Sequence, residues 1–265
     1  MRKTIFFLAV FAISIGCSQN TANFRIIQEH WTINNSWKST QKKCLLQDVE
    51  FREKDSYWLK KKYKKNIYLQ PRNAESYFLY GRLLGLLKKP NAAINYFHQA
   101  LNYDSEYLWA LYSIGILHLK EDARLQAQIF LQRCVDLNFQ FTPGLVALAK
   151  LKINNNKQQA LYLLFCAETF SPKNADIKQH IANVFVLTEQ YDKALAKYKE
   201  IERISPNNAA VLNEWGKLLV KLKKYKAALL VMNKLNELLP ENKKFAMEKT
   251  ISLIKHLMKK NRGIE

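Results

Sequence analysis

Glycine and proline are scarce: the 265 residues hold 7 of one and 6 of the other. That is too little for glycine-rich phosphate loops or for a turn-dense all-β fold. Four cysteines in a chain this long do not make a disulfide framework. Acids are also short, with 22 Asp and Glu against 42 Lys and Arg, a formal net charge of +20. The five histidines, His30, His98, His118, His180 and His256, are scattered, and no pair has metal-ligand spacing. Neither His-Glu-x-x-His, Cys-x-x-Cys nor a Gly-x-Ser-x-Gly elbow occurs. These absences argue against an enzyme, and no cofactor, metal or small-molecule substrate is expected. The composition that remains, 48% hydrophobic and 24% charged, is that of an ordinary globular chain.

The first residues read as an address. Arg2 and Lys3 precede an apolar run from Ile5 to Ile13, and small residues follow before Cys17. This is the arrangement of a secretory signal, with roughly half of the ~20 apolar residues that a membrane-spanning helix needs. Gly16-Cys17 resembles the lipobox of bacterial lipoproteins, in which the cysteine becomes the acylated first residue. Ser14 stands where that family usually carries Leu, Val or Ile, and Ile13 lies one place earlier. The resemblance implies a lipid anchor at Cys17, each buried CH₂ contributing about 0.8 kcal/mol. Ser18 in place of Asp implies the outer membrane of a bacterial envelope, facing the periplasm. Simple secretion and a core peptide of a cytoplasmic protein are the other readings of residues 1–16. Their removal takes away two bases and no acid, so +20 becomes +18. Residues 17–39 are polar and read as a tether.

A period of 34 residues organises the remainder. Pro172, Pro206 and Pro240 are spaced by 34, and Gly81 and Gly115 share that spacing, continued by Ala149, Ala182 and Gly216. A second small column runs through Ala93, Ala127, Ala160, Ala194 and Ala228, and a third through Ala100, Cys134 and Ala167 before Ile201 and Leu235. Bulky columns separate them: Tyr77, Leu111 and Leu145 early, Phe97, Leu131, Leu164, Tyr198 and Met232 late. Each unit holds two amphipathic helical patterns around a short polar turn. Glycine inside a helix costs about 1 kcal/mol relative to alanine, so its recurrence at one place implies a close helix–helix approach.

These columns resemble the tetratricopeptide repeat family over about Ala74 to Asn242, in five units: 74–107, 108–141, 142–174, 175–208 and 209–242. Signature places are held by Ala182, Ala194, Tyr198 and Pro206, then by Trp215, Gly216, Ala228 and Pro240. The third unit is one residue short, most simply at Asn154–Asn156, and Ser105 and Phe139 replace the usual prolines. Residues 40–73, with Leu59, Tyr63 and Ile67 in a stripe, read as a degenerate N-terminal repeat. Residues 243–265 read as a capping helix and tail, with Met247, Ile251, Ile254 and Met258 on one face. The fold class expected is all-α: a right-handed superhelical solenoid of tandem helix pairs with a C-terminal cap.

In that family partners lie in the concave groove lined by the first helices. Carried over by repeat alignment, the lining is Phe78, Arg82, Trp109, Tyr112 and Ile116, then Lys150, Gln179, Asn183, Asn213 and Lys217. Aromatic anchors followed by amide and lysine donors suit a protein or peptide partner, although Trp109 and Tyr112 could equally pack between repeats. Lys60, Lys61, Lys62, Lys64 and Lys65 form a basic helical face. It reads as a solvated surface, as a contact for an anionic membrane, or, least in an exported protein, as a nucleic-acid contact. His118 is expected to be a satisfied, partly buried side chain. Cys134 and Cys166 fit either buried thiols or a bridge, and Cys44 has no evident partner. The whole resembles pilotin-type lipoproteins of the bacterial envelope and the lipoprotein of the barrel-assembly machine. It implies a lipid-anchored scaffold for envelope assembly. The alternatives are a periplasmic adaptor that recruits cell-wall enzymes, and a binder of anionic surfaces or nucleic acid through Lys60–Lys65.

Overall fold

The computed structural model describes residues 56–262, so Cys17, Cys44, residues 1–39 and the first part of 40–73 lie outside the described residues. Twelve helices follow one another there with no strand. They are α1 (Ser56–Leu69), α2 (Ala74–Leu86), α3 (Pro90–Tyr103), α4 (Leu108–Lys120), α5 (Arg124–Leu137) and α6 (Thr142–Lys152). Then come α7 (Lys157–Phe170), α8 (Ala175–Leu187), α9 (Tyr191–Ile204), α10 (Ala209–Lys221), α11 (Tyr225–Leu238) and α12 (Glu241–Arg262). Helices pack in the pairs α2–α3, α4–α5, α6–α7, α8–α9 and α10–α11, and each pair also packs on the next. This is the quasi-one-dimensional contact pattern of a solenoid.

The recurring small residues are where the helices come closest. Ala93, Ala127, Ala160, Ala194 and Ala228 are wholly buried. A Cβ at Gly81 would meet the Phe97 ring at 2.8 Å, and one at Gly115 would meet Leu131 Cγ at 2.7 Å. At Gly216 it would meet Met232 Cε at 2.5 Å. The larger late column (Phe97, Leu131, Leu164, Tyr198, Met232) fills the space those small residues leave. Sequence period thus becomes packing: a small residue on one helix admits a large one from its partner.

Helix boundaries have equally local causes. The first helices α2, α8 and α10 start at Asn73, Asn174 and Asn208, whose side chains accept from the backbone N–H of Glu75, Asp176 and Val211. Each of these asparagines stands two residues after Pro71, Pro172 or Pro206, so the signature proline leads the chain into its cap. Where Ser105 and Phe139 replace proline, Asp104 and Asn138 accept instead from Glu106 N and Gln140 N, at 3.1 and 2.7 Å.

The turns from first to second helix share one closure. Lys88, Asp122, Glu189 and Lys223 adopt φ between 56° and 58°. The next backbone N–H returns to the helix: Lys89 to Leu84 O, Ala123 to His118 O, Gln190 to Phe185 O and Lys224 to Leu219 O, all within 3.0 Å. This is the Schellman closure, ordinarily built on glycine. The third unit lacks that left-handed residue. Its α6 has 11 residues where α2 has 13, Asn156 N returns to Lys152 O, and the Asn156 side chain caps α7 through Gln159 N.

At the ends, α1 packs on α2 and α12 on α11. Ile251 and Ile254 are the buried residues of α12, while Lys249, Ser252, His256 and Lys260 face solvent. Cys134 and Cys166 are separate buried thiols, not a bridge; burial raises them to about 12 and about 11. Among the described residues, no helix is long and apolar enough to cross a membrane.

Candidate partner-binding groove

The groove positions named from the sequence lie on α2, α4, α6, α8 and α10, and they do not behave alike. Phe78 is a correction: it is 3% exposed and packs against the rings of Phe97 at 5.6 Å and Tyr107 at 5.2 Å. Tyr107 folds over it from the start of α4, so Phe78 is core and cannot present itself to a partner. Trp109 and Tyr112 are half-buried and set edge to face with Phe141, at 4.9 and 5.8 Å. They therefore serve packing between repeats. Ile116 is half-buried against the same core, and Arg82 is half-buried on α2.

The later residues converge better. Lys150 is exposed; Gln179, Asn183 and Asn213 are half-buried; Lys217 is exposed. Asn183 and Lys217 open on a cleft of about 320 Å³ between α8, α9 and α10, completed by Val186, Leu187, Tyr198, Glu214, Leu218 and Lys221. Tyr198 is 1% exposed, and its hydroxyl donates to Asn183 Oδ1 at 3.3 Å. Burial first, then the Glu214 charge, pushes this phenol up to about 12, so it stays a neutral donor. Glu214 accepts from Lys217 Nζ at 2.9 Å and from Asn213 Nδ2 at 3.3 Å. Lys221 Nζ stands 4.8 Å over the Tyr191 ring. The cleft joins an apolar shelf (Val186, Leu187, Leu218) to a polar floor and two lysines at its rim. Such a shape can seat an apolar side chain while hydrogen-bonding the chain that carries it.

The cleft lies where the backbones of adjoining repeats are most widely spaced. Contacts across α9–α10 are the sparsest of all junctions between units. Trp215, stacked at 6.5 Å on Tyr198, has an indole N–H that is buried without a hydrogen-bond partner. Repeat alignment missed Leu187 and Lys221 on the lining, although each stands four residues after a named one (Asn183, Lys217) and so one turn further along the same face.

Two polar features flank the groove. Lys178 occupies the place held by Leu111, Leu145 and Leu212 in other units, yet it is buried. Its ammonium donates to Glu168 at 2.5 Å and Glu200 at 2.7 Å, and Lys197 donates to the same two at 2.8 and 3.2 Å. All four charges are matched, so this is a structural clamp across α7, α8 and α9. His180 is lowered to about 4 by burial, then by Lys150, with Asp176 opposing, so it is neutral at pH 7. His118 is partly buried as expected and stacks on Phe130 at 5.8 Å, but it is not fully satisfied: its Nδ1 has no hydrogen-bond partner, the nearest carboxylate, Glu121, standing at 3.9 Å. No cluster of three metal-ligating side chains occurs among the described residues.

The five lysines of the basic run lie on α1. Lys60 is half-buried, while Lys61, Lys62, Lys64 and Lys65 are exposed.

Comparison with known proteins agrees with this architecture. Residues 74–107 match the tetratricopeptide repeat family model. No curated protein sequence matches the chain significantly. Among solved structures, it is similar to YrrB, a TPR protein with an unusual peptide-binding site, at 16% identity and TM-score 0.55, over 71% of this chain and 97% of that one. It is similar to TTC0263, a thermophilic TPR protein of Thermus thermophilus, at 20% identity and TM-score 0.54, over 68% and 98%. It is also similar to yeast Tom70 at 12% identity and TM-score 0.62, over 82% of this chain and 46% of that one.

Proposed function

We propose that this chain, whose residues 74–107 match the tetratricopeptide repeat model and whose fold is similar to that of solved TPR proteins, is a non-catalytic scaffold holding a peptide segment of another protein in its groove, centred on the α8–α10 cleft. The cleft itself carries this reading, because it sets an apolar shelf beside the Tyr198–Asn183 floor and the Lys217 and Lys221 rim. That YrrB has a peptide-binding site is said of YrrB; it accords with such a use of the fold. The Gly16-Cys17 sequence supports placing the scaffold on a bacterial envelope through an acylated Cys17, facing the periplasm and serving assembly of an envelope complex.

A photo-reactive residue at Leu187, which is 52% exposed, tests the groove in cells. Capture of one dominant partner is expected, and Leu187→Asp combined with Lys221→Glu should abolish pull-down while helicity and melting stay unchanged. Undiminished capture by that variant would place the partner elsewhere. The address is tested separately: Cys17→Ala should release the protein from membranes, and unchanged retention would overturn the lipid anchor.

A further inference from the structure

Helix α1 carries a surface that the groove does not use. Its sequence, SYWLKKKYKKNIYL, contains no acid. Leu59, Tyr63 and Ile67 are half-buried on the side toward α2. The opposite side holds two parallel stripes at i, i+4, i+7, i+11 spacing. One is Tyr57, Lys61, Lys64, Tyr68; the other is Trp58, Lys62, Lys65, Leu69. Both stripes set a large apolar residue at each end and two lysines between. The four large residues are 77%, 60%, 85% and 62% exposed for Tyr57, Trp58, Tyr68 and Leu69.

A merely solvated face is built otherwise. It carries alternating charges in i, i+4 pairs, whereas like charges at that spacing repel. Here Lys61 and Lys65 repel one another with no acid on the helix to relieve them, and Lys62 is held 5.0 Å from the Trp58 ring. A plane of negative charge removes that repulsion. The exposed rings and Leu69 specify what kind of plane: Trp and Tyr settle at the level of lipid headgroups, an aliphatic tip gains from the acyl boundary, and lysine stems lie along it with their ammonium groups raised. A nucleic acid would use the rings but has no place for Leu69.

We propose that the outer face of α1 docks flat on an anionic lipid bilayer. The strip from Trp58 to Leu69 is about 16 Å long at 1.5 Å per residue. It lies at the N-terminal end of the solenoid, with α2 to α7 between it and the α8–α10 cleft, so docking through α1 leaves that cleft open. The proposal stands on α1 alone and does not require the lipid at Cys17.

The test uses the full chain with Cys17→Ala and vesicles of phosphatidylcholine, with or without phosphatidylglycerol. Residues 5–13 are apolar and would bind either vesicle by themselves, so the readout must be local. Brominated lipids quench tryptophan at the acyl boundary, and the share lost in Trp58→Phe is that of Trp58. Quenching of Trp58 is expected on anionic vesicles and not on phosphatidylcholine alone. High salt should suppress it, and replacing Lys61, Lys62, Lys64 and Lys65 by Gln should weaken the binding that produces it roughly 1,000-fold at low salt, with helicity retained. Quenching that is equal on both vesicles, or that survives the four-lysine variant, overturns the proposal. So does an unquenched Trp58 that instead cross-links to residues 1–55, or α1-dependent binding of RNA that vesicles do not compete for.

Discussion

Truncating Lys178 measures the ionic clamp directly. In three of the other four units its place belongs to leucine, and Leu111, Leu145 and Leu212 are buried there. In Lys178→Ala, Glu168 and Glu200 are left to share Lys197. Side-chain exposures are 9% at Lys178, 15% at Glu168 and 16% at Lys197, so water restores little there, whereas Glu200, at 39%, is partly solvated, which puts the cost at the lower end of the buried-pair range. Breaking a buried pair from one side costs about 3–5 kcal/mol. With a urea slope of about 3 kcal/mol/M for a domain of this size, the midpoint should fall by about 1 M. Lys178→Leu with Glu168→Met removes one charge of each sign and restores the apolar volume. It leaves Lys197 with Glu200 at i, i+3, and should return to within about 1 kcal/mol of the parent. Urea denaturation followed by circular dichroism, with the slope unchanged, gives both values. A midpoint shift below about 0.3 M in Lys178→Ala, or a Lys178–Glu168 coupling under about 0.5 kcal/mol, would refute the clamp.

Three further expectations follow from local geometry. Gly81→Ala should destabilise and Gly216→Ala should be near neutral, because alanine gains about 1 kcal/mol of helix propensity at each site. Against that gain, the buried Phe97 ring cannot retreat, whereas the Met232 methyl can; thermal melts of the two variants read the difference. Glu189→Gly should stabilise by about 0.5 kcal/mol by relieving a left-handed residue, net of the added freedom of the unfolded chain. Asn154→Gly, in the turn without one, should not. Stability should fall as pH drops from 6.5 towards 4: His180 is held neutral in the fold, so it supports folding above its ordinary 6.5 and opposes it as it charges towards about 4. His180→Gln should flatten that slope, and a denaturation series across this window checks it.

The helix pairs were legible in the sequence because close approach permits only small residues, and a forbidden Cβ leaves a column anyone can align. The groove was legible only in part. Asn183 and Lys217 follow from repeat register, but Phe78 shares its column with Tyr112, Gln179 and Asn213, and a ring from the start of the next unit covers each aromatic member, Tyr107 over Phe78 and Phe141 over Tyr112. The clamp left half a trace: a lysine in a leucine column is visible, while its partners come from two other helices. The cleft left none. It arises where contacts are few, and an absence of contact writes no pattern.

The sparse α9–α10 junction has a mechanical consequence. A solenoid is a row of springs in series, and under tension such a row stretches most at its softest member. The joint beneath the cleft, with the fewest close backbone approaches and an unpartnered Trp215 N–H beside it, is expected to be that member. Pulling on the two ends would widen the cleft before any other gap opens, and a guest bridging α8 and α10 would stiffen the row at that same joint. Occupancy of the cleft and the compliance of the rod are therefore one variable, readable by stretching a single molecule.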